Sequence, residues 1–301
     1  MLEQFGRAIC YSGYRKGQDP RTETYPSYEQ VKQDLLILAN DWDYIRLYDC
    51  STHAKTVLEV IKHEGLALKV LLGADLGAEI NNPNCPWGGV YPDHQLAENT
   101  SRNQKNIATL IAFANAYPET VQALSIGNEA SVDWNDHMVS VDALVAYAKQ
   151  VKAGAKQPVS FCENYVPWLG KLEPLVEVVD FICIHTYPAW EYKTLRDALA
   201  YTQQNYYAVA DRYPHKKVVI TEAGWTTRSN NRGIERWNAS EEIQAEYIRQ
   251  LLRWTGSEEI LTFVFEAFDE PWKGSDDASE PEKHWGLYFE DRTPKLVITQ
   301  R

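Results

Sequence analysis

Two glutamates close similar runs of this chain. Glu129 ends Leu124-Ser-Ile-Gly-Asn-Glu129, and Glu222 ends Val218-Val-Ile-Thr-Glu222 ahead of Ala223-Gly224-Trp225. Each follows a short apolar, β-branched stretch and precedes small residues, the pattern of a carboxylate at the carboxyl end of a buried parallel strand. Barrel enzymes keep their chemistry there. Paired carboxylates on separate strand ends suit cleavage of a glycosidic bond: one protonates the leaving oxygen, and the other attacks the sugar or activates water. A single glutamate after a strand is ordinarily a solvated loop charge, because glutamate is rarely buried. Two in equivalent frames, one preceded by Asn128 and the other followed by Gly-Trp, reverse that expectation. Asn128 adds to it, since an amide beside the acid can bond a sugar hydroxyl next to the reacting centre. A carboxyl separation of about 5–5.5 Å would mean direct attack and retained configuration.

The elements that must position this pair are legible as an alternation. Apolar runs recur at 6–11, 44–48, 67–72, 121–126, 159–162, 179–185, 217–221 and 260–265. Between most of them lie segments of helical period at 28–39, 54–63, 95–116, 141–155, 195–212 and 241–254, with Ser27 and Ser240 as caps. Continuous apolar strands alternating with helices indicate a parallel sheet covered on its outer face, and eight such units close into a (β/α)8 TIM barrel. Between Cys162 and Val179, Pro167, Gly170 and Pro174 leave room only for a short helix, so that unit is degenerate. No linker or charge block divides residues 1–301, which read as one domain. The loops 81–92 and 269–285, rich in Pro, Gly, Asn and Trp, fall after the third and eighth strands, where a binding cleft is built.

Composition narrows the ligand. The formal net charge of −12 argues against nucleic acid, which needs clustered Lys and Arg. The 10 Trp and 18 Tyr offer flat apolar faces with polar edges, suited to sugars as well as to a core. The five scattered cysteines read as buried thiols rather than a disulfide framework. No apolar run is long enough to span a membrane, and the opening Met1-Leu-Glu-Gln-Phe-Gly-Arg shows no export signal. The histidines never show the i, i+4 pairing of a helical zinc motif, so neither metal nor cofactor is expected.

Taken in order, Ile126-Gly-Asn-Glu129, Val218-Val-Ile-Thr-Glu-Ala-Gly-Trp225, Tyr44-Ile-Arg-Leu-Tyr-Asp49 and His284-Trp-Gly-Leu-Tyr288 resemble glycoside hydrolase family 17. The opening Gly6-Arg-Ala-Ile-Cys-Tyr-Ser-Gly-Tyr14 is similar to its bacterial branch, and the likeness covers nearly the whole chain. The resemblance implies a barrel with its cleft at the carboxyl ends of the strands, β-1,3-glucan as substrate, and a retaining mechanism with Glu129 as acid/base and Glu222 as nucleophile. Glu222 must then be ionised to attack while Glu129 holds the proton. Once Glu222 carries the sugar, Glu129 returns as base.

Further residues follow from the strand ends. Arg46 and Tyr48 alternate with Ile45 and Leu47 along the second strand, and a buried arginine needs a carboxylate, for which Glu222 is the expected partner. Tyr187 is placed to hydrogen-bond the nucleophile. Tyr11, Tyr48, Glu163 and Glu266 are expected to meet sugar hydroxyls, and Trp134, Trp225 and Trp272 to stack on glucose rings. His185 reads as a satisfied residue beside the cleft. Hydrolysis and glucanosyl transfer share all these residues, differing only in whether water or a sugar hydroxyl attacks the intermediate. The alternatives are a retaining barrel glycosidase on another β-glucan or mannan, and a silent carbohydrate-binding protein on the same fold. A monomer acting in the periplasm or outside the cell is the expected setting.

Overall fold

The computed structural model describes residues 5–300; part of the opening stretch read for an export signal, residues 1–4, lies outside them. Eight strands form the sheet: β1 (Ala8–Cys10), β2 (Tyr44–Leu47), β3 (Lys69–Gly73), β4 (Val121–Asn128), β5 (Val159–Asn164), β6 (Ile182–His185), β7 (Val218–Gly224) and β8 (Thr262–Phe265). They pair in chain order, all in parallel, and β1 meets β8 through Ala8 opposite Phe263 and Ile9 opposite Val264, so the sheet is a closed barrel. Nearly every strand residue is buried, because side chains alternate between the barrel interior and the helical layer and neither face reaches water. This is the (β/α)8 barrel expected from the alternation of runs.

The helices α1 (Tyr28–Leu38), α2 (Thr52–Glu64), α3 (Asp93–Ala116), α4 (Val141–Gly154), α7 (Leu195–Arg212) and α8 (Glu241–Ser257) cover the sheet. In α1, Val31, Leu35 and Leu38 recur at helical spacing and are buried. Its start is fixed by a capping box, in which the Ser27 hydroxyl and the Gln30 side chain each accept from the other's backbone N–H. The Ser240 hydroxyl caps α8 by accepting from Ile243 N–H. The degenerate unit holds only two four-residue helices, α5 (Tyr165–Trp168) and α6 (Glu173–Val176), and a short α9 (Leu296–Thr299) packs against α8. All five cysteines are free, as expected. Among the described residues no helix is long and apolar enough to cross a membrane.

Besides an irregularity between Val70 and Leu71 near the amino ends of β3 and β4, the sheet loses its regular register at three places. The shifts fall between Ser125 and Asn128 (β4 against β5), between Ile184 and His185 (β6 against β7), and between Ile220 and Ala223 (β7 against β8). All three lie at the carboxyl ends, where an irregular ladder re-aims a side chain. They bracket Asn128, His185 and Glu222.

Candidate active site

Glu222 stands near the end of β7 and is 5 % exposed. A carboxylate so buried must be compensated, and this one is. Arg46 Nη1 from β2 lies 2.5 Å from Oε1, and the Tyr187 hydroxyl donates to Oε2. Burial alone would raise the proton affinity of Glu222, but the charges of His185 and Arg46, with the bond from Tyr187, outweigh it and hold the carboxyl below its ordinary range. It is ionised at neutral pH. Burial and the same negative charge push the Tyr187 phenol well above its usual value, so it stays a donor.

Arg46 is itself 2 % exposed and uses its fork fully. Nη1 also donates to Thr221 O at 3.1 Å, and Nη2 donates to Asn128 Oδ1. Its guanidinium lies 4.3 Å from the centre of the Tyr48 ring. One arginine therefore ties β2 to the ends of β4 and β7, the expected partnership with Glu222 together with an unexpected one with Asn128.

Glu129 follows β4 directly, and its side chain is 27 % exposed, so it reaches solvent where Glu222 does not. Its backbone is left-handed, with φ of 45°. For a residue with a Cβ that conformation costs about 1–2 kcal/mol and persists only where the surroundings hold it. Here Glu129 N–H donates to Cys162 O at 2.9 Å, and Asn135 Nδ2 donates to Glu129 O at 2.6 Å.

His185 joins the two acids. Its Nδ1 is 2.9 Å from Glu129 Oε1 and 3.5 Å from Glu222 Oε2, while Nε2 is 3.2 Å from Arg46 Nη1. Burial depresses the imidazolium, but the Glu222 charge and the bonds to Cys162 and Glu129 override it, raising the ring to about 10. As the sequence reading expected, His185 is a satisfied residue beside the cleft: it is fully buried and does not line it, yet it touches both acids. Oxygens of Glu129 and Glu222 lie within 4.8 Å of one another, with His185 in the same group. These three are the only such cluster of potential metal ligands among the described residues. The fixed Arg46 charge, already bonded to Glu222, opposes a cation there.

Around the pair opens a cleft of about 1070 Å³. Of the expected contacts, Tyr48, Asn128, Trp134, Tyr187 and Trp272 line it. Trp134 is 41 % exposed, and Trp272 is held by its indole N–H donating to Glu270 Oε1 at 3.0 Å. Four others do not line it. Tyr11 is buried with its hydroxyl on Asp34 Oδ2 at 3.1 Å. Trp225 is buried against Tyr247, with its indole N–H on Asn238 O at 2.7 Å. Glu266 is buried and paired with Lys273, 3.0 Å away. Glu163 is buried with its oxygens taken by Ser131 and Asn164. Strand alternation accounts for Tyr11 and Glu163: Cys10 and Cys162 face the charged interior, so the residue after each points the other way. The structure also brings to the cleft Trp190 and Trp285, loop tryptophans that the sequence offers as stacking rings, and Phe265 and Lys273, which the sequence reading did not place there. Trp285 packs edge-on against Tyr187, with ring centres 5.2 Å apart. Phe265 ends β8 itself and Lys273 lies in the loop beyond it, positions at the mouth that were the available signal for both.

The fold has close counterparts among known proteins. A solved endo-laminarinase from Formosa superposes with a TM-score of 0.84 at 23 % identity, over 98 % of this chain and 86 % of that one. A Rhizomucor miehei β-1,3-glucanosyltransferase, an active-site mutant in complex with laminaritriose, gives 0.76 at 22 % identity over 97 % and 96 %. At such identities these likenesses establish the barrel. In sequence, a putative glucan endo-1,3-beta-glucosidase of Aspergillus niger, btgC, is 27 % identical over 90 % of this chain, which spans 40 % of that relative's length. The likeness to glycoside hydrolase family 17 carried by the motifs agrees with these findings. Residues 8–286 match the model of the BtgE/BtgC glycoside hydrolase domain, and the chain belongs to that family.

Proposed function

We propose that this chain is the catalytic domain of a retaining enzyme that opens β-1,3-glucan through a covalent glycosyl-enzyme. The observation that carries the reading is the approach of Glu129 and Glu222 oxygens to within 4.8 Å. That spacing suits direct attack and falls short of the about 6.5–9.5 Å that an inverting pair needs to admit water. The two environments separate the roles. Glu222 is buried, ionised and fixed by Arg46 and Tyr187, as a nucleophile must be; Glu129 reaches the solvent-facing side, where a leaving oxygen is protonated and water or an acceptor later arrives.

In the first step Glu222 attacks the anomeric carbon while Glu129 gives its proton to the departing glycosidic oxygen. Attack consumes the Glu222 charge, so Glu129, facing a neutral ester, is free to take the proton of the incoming hydroxyl. Asn128, fixed by Arg46, presents its amide N–H to the sugar hydroxyl beside the reacting centre. His185, bridging both acids, keeps positive charge beside whichever one is ionised. The β-1,3 linkage rests on the names of the relatives, an endo-1,3-beta-glucosidase and an endo-laminarinase.

Glucanosyl transfer is the second reading. It is favoured by exposed rings on one flank of the cleft, Trp87 at 62 % and Trp134 at 41 %, which can seat an acceptor sugar and displace water. The proposed setting is that of a monomer acting outside the cytoplasm, where such a polymer lies. Incubation with laminari-oligosaccharides followed by chromatography tests both readings. Shorter products alone mean hydrolysis, products longer than the substrate mean transfer, and untouched substrate refutes the proposal.

A further inference from the structure

Glu163 is completely buried yet stands immediately behind the acid/base candidate. It sits on β5, whose preceding residue, Cys162, accepts the Glu129 N–H through its carbonyl at 2.9 Å. Its Oε2 accepts from both Ser131 N–H, at 2.9 Å, and Ser131 Oγ–H, at 2.7 Å. Its Oε1 accepts from Asn164 N–H at 2.7 Å. Ser131 is the second residue after Glu129, and Lys171 Nζ donates to its carbonyl at 2.5 Å. The left-handed turn that aims Glu129 is thus gripped on its far side by a carboxylate that no sugar can reach.

Resting on the roles proposed above, we infer that Glu163 is a positioning residue for general acid catalysis, acting through Ser131 to hold the Glu129 turn in its left-handed form. Three donors converge on the two oxygens, a load that a carboxylate accepts and an amide cannot, because one amide atom is itself a donor. The Glu129 charge acts on Glu163 in turn: burial first, then that charge, raises the Glu163 carboxyl to about 7.

The test separates acid catalysis from the rest of the reaction. The specificity constant kcat/KM for a laminari-oligosaccharide needs protonation of a poor leaving group, whereas that for a dinitrophenyl β-laminaribioside does not. Glu163→Gln is expected to lower the first by about 10- to 100-fold, a part of what a general acid supplies, and to leave the second nearly unchanged. Ser131→Ala, which keeps the backbone bond and loses only the hydroxyl, should show the same imbalance in smaller degree and serves if the glutamine variant does not fold. Parallel loss on both substrates in a folded variant would mean a general structural or sugar-binding role and would overturn the inference, as would unchanged activity on both. A wild-type protein inactive on both substrates would instead refute the proposed function, and this inference with it.

Discussion

Arg46→Met is the substitution whose consequence can be worked furthest. Methionine fills much of the arginine's volume but removes the charge 2.5 Å from Glu222 Oε1, in surroundings where both partners are buried. Charges centred about 4 Å apart at an effective dielectric constant of about 20 attract by about 4 kcal/mol. At about 1.4 kcal/mol per pKa unit, that is a ceiling of about 3 units on the rise in the Glu222 carboxyl. His185 and Tyr187 remain in place, so a rise of about 1–3 units is expected. In the proposed mechanism Glu222 works only when ionised, so the acid limb of the kcat/KM profile on an activated aryl glycoside should move upward by that amount. Loss of one partner of a buried pair also costs about 3–5 kcal/mol of stability, so the melting temperature should fall at pH 7. Near-UV circular dichroism establishes that the variant is folded before the profile is read. A folded variant whose acid limb stays where the wild type has it would refute the claim that Arg46 keeps the nucleophile charged.

Three other outcomes are expected. Tyr187→Phe removes one hydrogen bond to a buried charged oxygen, worth about 1.5–3 kcal/mol, and should lower both the melting temperature and, with the carboxylate less firmly aimed, kcat/KM on aryl glycosides. For Trp134→Ala, chromatography should show several-fold fewer products longer than the substrate relative to shorter ones. The third concerns pH and stability. The Glu163 carboxyl is raised from 4.5 to about 7, so between those values the folded state binds more protons than the unfolded one and stability falls as pH rises. The contribution is of order 3 kcal/mol, and urea unfolding should show Glu163→Gln gaining on the wild type by about that much from pH 4.5 to 7. A constant difference across the range would contradict the assigned titration.

Much of this architecture was legible in the residues because strands covered on both faces read as unbroken apolar runs. Helix α7 was bounded at both ends, while β4 extends to Asn128, beyond the expected run, because polar side chains at a barrel mouth still carry strand backbone. Glu129 and Glu222 were found by frame, and Arg46 by the need of a buried charge for a partner. What escaped notice is mostly side-chain direction. Arg46 and Tyr48 share a face, as do His185 and Tyr187, so a period of two would have turned His185 toward the two acids and Glu163 out of the cleft. Trp225 defeats simpler reasoning, since nearness in sequence to Glu222 says nothing about a ring buried beneath α8. The bridging of both acids by one imidazole depends on distances between separate strands, which no local pattern encodes.

Covalent capture of the nucleophile bears most directly on the mechanism. A 2-deoxy-2-fluoro-β-laminaribiosyl fluoride leaves too slowly from the enzyme to turn over, so the intermediate accumulates and can be digested and mapped by mass spectrometry. The account predicts one added disaccharide per chain, on the peptide containing Glu222. Attachment to Glu129 or to any other carboxylate would contradict it, as would rapid turnover of an unsubstituted substrate whose first product carries inverted configuration.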